Sequence, residues 1–336
     1  MTTIKQPATI KDVAKRAKVA PSTVSYVLSG KRPISLKVQE RVNKAIDRLD
    51  FKPNRAASHL RTGNSGAVGM VHPLSAKSYG HLDFIVTAAE VLQKKYTLNL
   101  FTKPTKPKEL LEAFTQNHVD GLILMQITRL DSHVETLRKT PYPFVLIGRC
   151  ERSEGLSLVD FDFENAVYLG VQHLASLGHK MIGYIDLPEQ DRRSELGYAL
   201  YLERGLKKAV KEFGVRVVRQ EAGPELVGGY QATRRLFARN KKITAILAFA
   251  GLTYVGVLRA LHELKKRVPE DCSVICSSTG SLSEWTMPRL TSVDTPLGEL
   301  GKVGAELLLE RLADKPFRQV LLPANLVERE STASPS

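Results

Sequence analysis

Apolar residues fall at helical spacing in the first fifth of the chain and in short continuous runs thereafter, and the two patterns predict different architectures. Ile10, Val13, Ala14 and Ala17 share one helical face behind Thr9, which can cap that helix with Asp12 three residues on. After a turn at Lys18, Val19 and Ala20, Pro21 sits where the first residue of a helix tolerates proline. Val24, Val27 and Leu28 then supply a second stripe before Gly30. A third helix is expected behind a Ser35 cap, with Val38, Val42, Ala45, Ile46 and Leu49 facing inward and Lys52-Pro53 as its stop. Three short helices around one small core make a helix-turn-helix domain, placed at residues 1–53.

Beyond the polar linker Thr62-Gly63-Asn64-Ser65, short apolar runs alternate with amphipathic stretches. Strands are expected at 67–71, 97–101, 121–125, 144–148, 181–185, 245–249 and 273–277, and helices at 82–94, 163–178, 195–213 and 253–265. This alternation predicts right-handed strand-helix-strand units, hence an α/β core of parallel sheets covered on both faces. That core is placed at residues 66–330; on periodicity alone, one sheet could hold all of its strands.

Composition agrees with a small domain followed by a larger one, because 336 residues at 43% hydrophobic content exceed one ordinary domain. Charge sharpens the division. Residues 1–65 hold 14 Lys and Arg against 4 Asp and Glu, so +10 of the formal +14 lies in the first fifth. Such a cluster attracts polyanions: nucleic acid first, an acidic membrane surface second, with a merely solvated face as the ordinary alternative. Cys150, Cys272 and Cys276 are too few and too poorly spaced for a disulfide framework. With no paired Cys/His pattern, neither a metal nor any other cofactor is expected. The opening MTTIKQPATIKDVAK has no apolar signal core and no run of about 18 apolar residues occurs, so a cytoplasmic protein without membrane attachment is expected.

Most two-helix turns are only structural, so the groups on the second helix decide the matter. Outside its apolar stripe it carries Ser22, Thr23, Ser25 and Tyr26, short or flat polar groups that can approach base edges and phosphates in a major groove. A solvated face would more usually carry Lys and Glu. The stretches ATIKDVAKRAKVAPSTVSYVLSGKRPIS and VQERVNKAIDRLDFKPNRAASHLRTG resemble the lactose-repressor family of bacterial transcriptional regulators. The resemblance implies that Pro21, Ser22, Thr23 and Tyr26 occupy the base-reading positions. It also implies that Asn54, Arg55, Ala57 and Leu60 belong to a hinge helix, within 54–65, that folds on operator DNA and enters the minor groove. Leu60 matches the family's wedge, an apolar side chain pushed between base pairs to kink the duplex; the residues themselves also allow a leucine packed on the headpiece. Two departures stand out. Ala20 replaces the usual Ser, removing a cap worth about 1 kcal/mol, and Lys18 replaces the usual Gly where a left-handed backbone costs about as much.

The resemblance continues through HLASLGHKMIGYI, ALHELKKRVPEDCSVI, LTSVDTPLGELGKVGAELLLERL and LVEREST, and implies two similar lobes of the periplasmic-binding-protein kind rather than one sheet. The chain would then cross between lobes near Asp162, Thr295 and Leu322, with a small-molecule effector held between them at the carboxyl ends of the strands. Several effector-contacting positions depart from the family pattern: Ser194 stands for Arg, Ala250-Gly251 for Asn-Asp, Ser278 for Asp and Phe163 for Asn. A cleft without those groups loses the bidentate bonds that select hydroxyl-rich ligands, which argues against an ordinary monosaccharide. Candidate contacts are His72, Gln126, Arg149, Arg193, Ser194, Ala250 and Ser278, each with a surface charge or a hinge contact as its alternative.

An enzyme is the competing class, since doubly wound sheets often hold dinucleotides. Gly63, Gly66 and Gly69, however, precede or lie within the first strand and cannot make the phosphate turn after it. No P-loop or nucleophile elbow occurs. The expected protein is a non-enzymatic, sequence-specific regulator, most simply a repressor. It is expected to act as a homodimer on near-palindromic double-stranded operator DNA; control by a partner protein instead of a small molecule stays open.

Overall fold

A computed structural model describes residues 8–29, 32–51, 64–72, 81–103, 106–189, 193, 195–223, 225–278 and 281–336. The chain forms two compact units, Met1–Ser65 and Gly66–Ser336. The first contains α1 (Ile10–Ala17), α2 (Pro21–Ser29) and α3 (Leu36–Leu49). Thr9 and Asp12 form a capping box: Thr9 N donates to the Asp12 carboxylate at 2.8 Å while Asp12 N donates to Thr9 Oγ1. Lys18 ends α1 in the left-handed region (φ 52°), the conformation that glycine would adopt more cheaply. The Arg41 guanidinium, reaching from α3, donates to the carbonyls of Ala17 and Lys18 and so satisfies the end of α1. Val13, Ala14, Ala17, Val24, Val42, Ala45 and Phe51 form the small core.

Two boundary expectations need correction. Ser35 holds the cap position of α3 without a side-chain bond; its carbonyl instead accepts from Val38 N and Gln39 N, as the first turn's geometry requires. The helix then ends at Leu49 because Asp50 turns left-handed (φ 43°), ahead of Lys52-Pro53, which lie outside the described residues.

The second unit holds two six-stranded sheets rather than one. The first lobe is ordered β11-β5-β4-β3-β1-β2 and the second β12-β10-β9-β8-β6-β7. In the first, β1 is Ala67–Val71, β2 Thr97–Phe101, β3 Gly121–Leu124, β4 Phe144–Ile147, β5 Leu158–Phe161 and β11 Gln319–Leu322. In the second, β6 is Met181–Asp186, β7 Arg216–Glu221, β8 Ala245–Ala248, β9 Ser273–Ser278, β10 Thr291–Asp294 and β12 Leu326–Val327. All pairings are parallel except β10 with β12. The central strands are buried throughout, which is why they read as unbroken apolar runs.

Helices cover these sheets in pairs. α4 (His81–Leu92) lies against α11 (Leu297–Leu312) on the first lobe, where α5 (Pro107–Thr115) also meets α6 (Ser132–Leu137). On the second lobe α7 (Phe163–Ser176) pairs with α8 (Gly197–Phe213), and α9 (Leu226–Arg239) with α10 (Thr253–Glu263). The α9–α10 crossing is so close that a Cβ on Gly229 would lie 1.9 Å from the Thr253 carbonyl oxygen. The chain passes between lobes three times, at Asp162, at Thr295-Pro296 and between Leu322 and Leu326.

The final residues return to the second lobe. Val274 N donates to the Ser331 carbonyl, and Ser331 Oγ donates to the Val274 carbonyl while accepting from Thr291 N. Buried His179 completes this anchorage. Because the Ala333 carbonyl, 2.9 Å from Nε2, can only accept, the proton of the neutral ring sits on Nε2 and Nδ1 accepts from Thr244 Oγ1. Among the described residues, no helix is long and apolar enough to cross a membrane.

Candidate functional site

In the first unit α2 presents the polar groups singled out from the sequence. Val24 is completely buried and fixes the helix on the small core, which leaves Pro21 and Ser22 exposed and Thr23, Ser25 and Tyr26 partly so. The Arg32 guanidinium lies 5.0 Å from the centre of the Tyr26 ring, a cation–π contact that sequence spacing alone did not disclose. Neighbouring α1 keeps Lys11, Lys15 and Arg16 in solvent. A helix end bearing hydroxyls and a phenol, beside cations that form no ion pair among the described residues, can approach base edges while the cations meet phosphates. Asn54, Arg55, Ala57 and Leu60 lie outside the described residues.

In the second unit the effector candidates come from the carboxyl ends of different strands. His72 follows β1 and is buried; Gln126 follows β3, half-buried and left-handed (φ 55°). Ala250, beyond β8, and Ser278, closing β9, are also buried. Arg149, after β4, is already engaged: its Nε donates to Asp160 Oδ2 at 2.6 Å and its guanidinium lies 3.8 Å from the centre of the Tyr201 ring on α8. Burial pushes the Asp160 carboxyl above its ordinary range despite the Arg149 bond. Arg193 points into solvent and pairs with Glu189, while Ser194 lies outside the described residues.

The structure therefore brings Gln126 and Arg149 to one junction between lobes and leaves Arg193 on the surface. Tyr198 and Tyr201, which sequence reasoning missed, complete this junction together with Phe163. Phe163 at the start of α7 meets Phe161 edge-on at 5.0 Å and Tyr198 of α8 at 5.7 Å, and Tyr201 carries Arg149. Tyr254 is buried in the second lobe; burial, with Cys276 and Asp294 nearby, pushes its phenol up to about 12. The three cysteines are free and buried. Among the described residues, no group of three or more His, Cys, Asp or Glu side chains could hold a metal ion.

Comparison with known proteins places both units. The family model for bacterial regulatory proteins of the lacI family matches residues 9–54, and the model for a periplasmic binding protein-like domain matches residues 171–332. An HTH-type transcriptional repressor PurR of Salmonella arizonae is 30% identical over 341 residues, covering 97% of each chain. The chain belongs to the lacI family of bacterial regulatory proteins. Catabolite control protein A of Priestia megaterium is 29% identical over 335 residues, covering 96% of this chain and 99% of its own.

Among solved structures, the lac repressor dimer bound to operator and the anti-inducer ONPF overlays with a TM-score of 0.84 at 23% identity, covering 98% of this chain and all of that one. The CelR–cellobiose complex overlays at 0.68 with 26% identity, covering 96% and 99%. This lacI-family chain is thus a DNA-binding transcriptional regulator with a helix-turn-helix unit and a two-lobed effector-binding core.

Proposed function

We propose that the chain is a homodimeric repressor that reads a near-palindromic operator through α2 and is controlled by a small molecule held between the core lobes. The observation that carries the DNA-binding part is the exposed polar edge of α2 on a headpiece holding +10 of the formal +14 charge. In this reading residues 1–53 are the headpiece, 54–65 the hinge and 66–330 the core. Pro21, Ser22, Thr23, Ser25 and Tyr26 act in the major groove, and Asn54, Arg55, Ala57 and Leu60 in the minor groove. Dimerisation is supported by the large apolar side chains left exposed on the core, among them Leu82, Trp285 and Met287.

The effector would meet His72, Gln126, Ser194, Ala250 and Ser278, whereas Arg149 acts through the junction it holds. Phe163, Ala250 and Ser278 bring no charge or amide to the strand ends, which supports a ligand other than an ordinary monosaccharide. No catalytic step belongs to this reading, and an operator partner puts the protein in the cytoplasm.

Binding selection from randomised DNA tests it. Thr23→Ala and Tyr26→Ala should each change the preferred bases, at about 1–3 kcal/mol per lost base contact, while leaving the salt dependence nearly intact. An unchanged motif from both variants would refute their role as readers. Leu60→Ala should weaken operator binding more than binding to random-sequence DNA, because only the specific complex needs the kink. Equal losses would make Leu60 a packing residue.

A further inference from the structure

Two loops, one from each lobe, are built against each other with more precision than a passive boundary needs. On the first lobe, Asp131 freezes the turn after β3. Its carboxylate accepts from Thr128 N and Thr128 Oγ1, both at 3.2 Å, and caps α6 by accepting from His133 N at 2.9 Å and Val134 N at 3.1 Å. On the second lobe, Glu195 turns left-handed (φ 53°) just before α8, mirroring left-handed Gln126 across the junction. Non-glycine residues persist in that region where surrounding contacts over-determine them.

Here the contacts do so. Thr128 and Leu196 form an antiparallel bridge, flanked by Arg129 N donating to the Glu195 carbonyl and Gly197 N donating to the Ile127 carbonyl, both at 2.8 Å. The Arg129 carbonyl in turn accepts from Glu151 N at 2.8 Å, so strand-like pairing continues back into the first lobe.

The guanidinium of Arg129 closes the arrangement. Nε and Nη2 donate to the two Glu195 carboxylate oxygens at 3.1 and 3.3 Å, a two-pronged grip across the lobes, while Nη1 donates to Glu151 of its own lobe. We propose that Arg129 is an ionic latch that holds the two lobes closed, so that their separation depends on ionic strength as well as on any ligand between them. The latch is reversible by design of its surroundings: Arg129, Glu195 and Glu151 side chains keep 36%, 46% and 52% of their surface in solvent. Exposed pairs of this kind are individually weak and easily screened. Raising salt from about 0.1 M to about 1 M shortens the screening length from roughly 10 Å to roughly 3 Å, comparable with the pair itself.

Gly197 supplies an independent handle on the same contact. A Cβ there would lie 2.5 Å from the Arg149 carbonyl oxygen and 3.3 Å from that of Ile127, both on the opposite lobe. Inside α8 alone, alanine would be the better helix former. Gly197→Ala therefore separates the lobes without weakening the helix that carries it.

The test is hydrogen exchange at the amides of Arg129 and Gly197 in the full chain, with the buried-strand amides of Val68 and Ile246 as internal controls. It requires no knowledge of what the protein binds. Wild type should exchange faster at the two junction amides as salt rises, and Arg129→Ala should exchange about fivefold faster at low salt and show no salt response. Gly197→Ala should expose the same amides while the controls stay protected. An equal salt response in wild type and Arg129→Ala, or junction amides as protected in Gly197→Ala as in wild type, would overturn the latch.

Discussion

The headpiece and the core treat positive charge in opposite ways. Among the described residues no ion pair forms within the headpiece, although it holds most of the molecule's surplus cations. In the core, Arg129, Arg149, Arg219, Arg289, Arg318 and Arg329 each meet a carboxylate. Arg219 shows how firmly: burial alone would lower its pKa, yet Glu203 and Asp186 raise it well above the ordinary arginine range. The contrast teaches where each region's partner must come from. A cation without an internal carboxylate keeps its attraction for an external polyanion, whereas a paired one is committed to architecture.

The largest effect that can break this comparison is on DNA affinity. If the headpiece cations of a dimer release counterions from six to ten phosphates, affinity should fall by about 10³- to 10⁵-fold between 50 and 200 mM salt. A flat plot of log affinity against log salt would show that the free charges are only a solvated surface.

Next in size is the core pair. Arg149→Met should destabilise the core by about 3 kcal/mol, because Asp160 would remain buried without its cation. Denaturant unfolding of the full chain checks this, and an Asp160→Asn, Arg149→Met double variant should recover part of the loss. If the double variant is no more stable than the single one, the damage lies elsewhere than in an orphaned carboxylate.

Smaller is the backbone effect in the headpiece. Lys18→Gly should stabilise that unit by about 1 kcal/mol, since Lys18 sits left-handed at the end of α1. Thermal unfolding of the headpiece transition should move upward; a downward shift would mean that the lysine side chain contributes more than its backbone costs.

The smallest is a single proton. Burial holds the His179 pKa below its ordinary 6.5, so the unfolded chain takes up the proton first. The contribution is fully present above 6.5 and declines as pH falls through that value towards the folded pKa. Denaturation midpoints at neutral and mildly acidic pH should differ less in His179→Gln than in wild type. Equal differences would remove His179 from the account.

How much of this was legible in the sequence follows from where polarity falls. Six of the seven apolar runs became interior strands, where burial on both faces leaves little place for polar residues, whereas the run at 97–101 became the edge strand β2 and is mostly exposed. By contrast, β5 carries Asp160 for its Arg149 partner, β7 reads RVVRQE at a sheet edge, and β11 lies half in solvent, so none shows an apolar run. Helix α9 was obscured by Gly228 and Gly229, which look like breakers but make room for the backbone at Gly223 and for α10, respectively. The α2 face was readable because its groups lie within six consecutive positions, 21 to 26. The junction was not, since Arg129 and Glu195 are separated by 66 residues and nothing in either neighbourhood names the other.

The three passages between lobes set an order of events during synthesis. The first lobe needs residues 67–161 and then waits for α11 and β11, near residue 322, while the second needs the tail that meets His179. The headpiece, by contrast, closes its core between Val13 and Phe51. At about 5–20 residues per second, on the order of 10 to 60 s separate the emergence of the two. A ribosome therefore carries a finished, single headpiece long before the surfaces that could pair it with a second copy exist. During that interval any hold on DNA rests on one half-site, which keeps nascent chains from occupying a site that mature dimers must find.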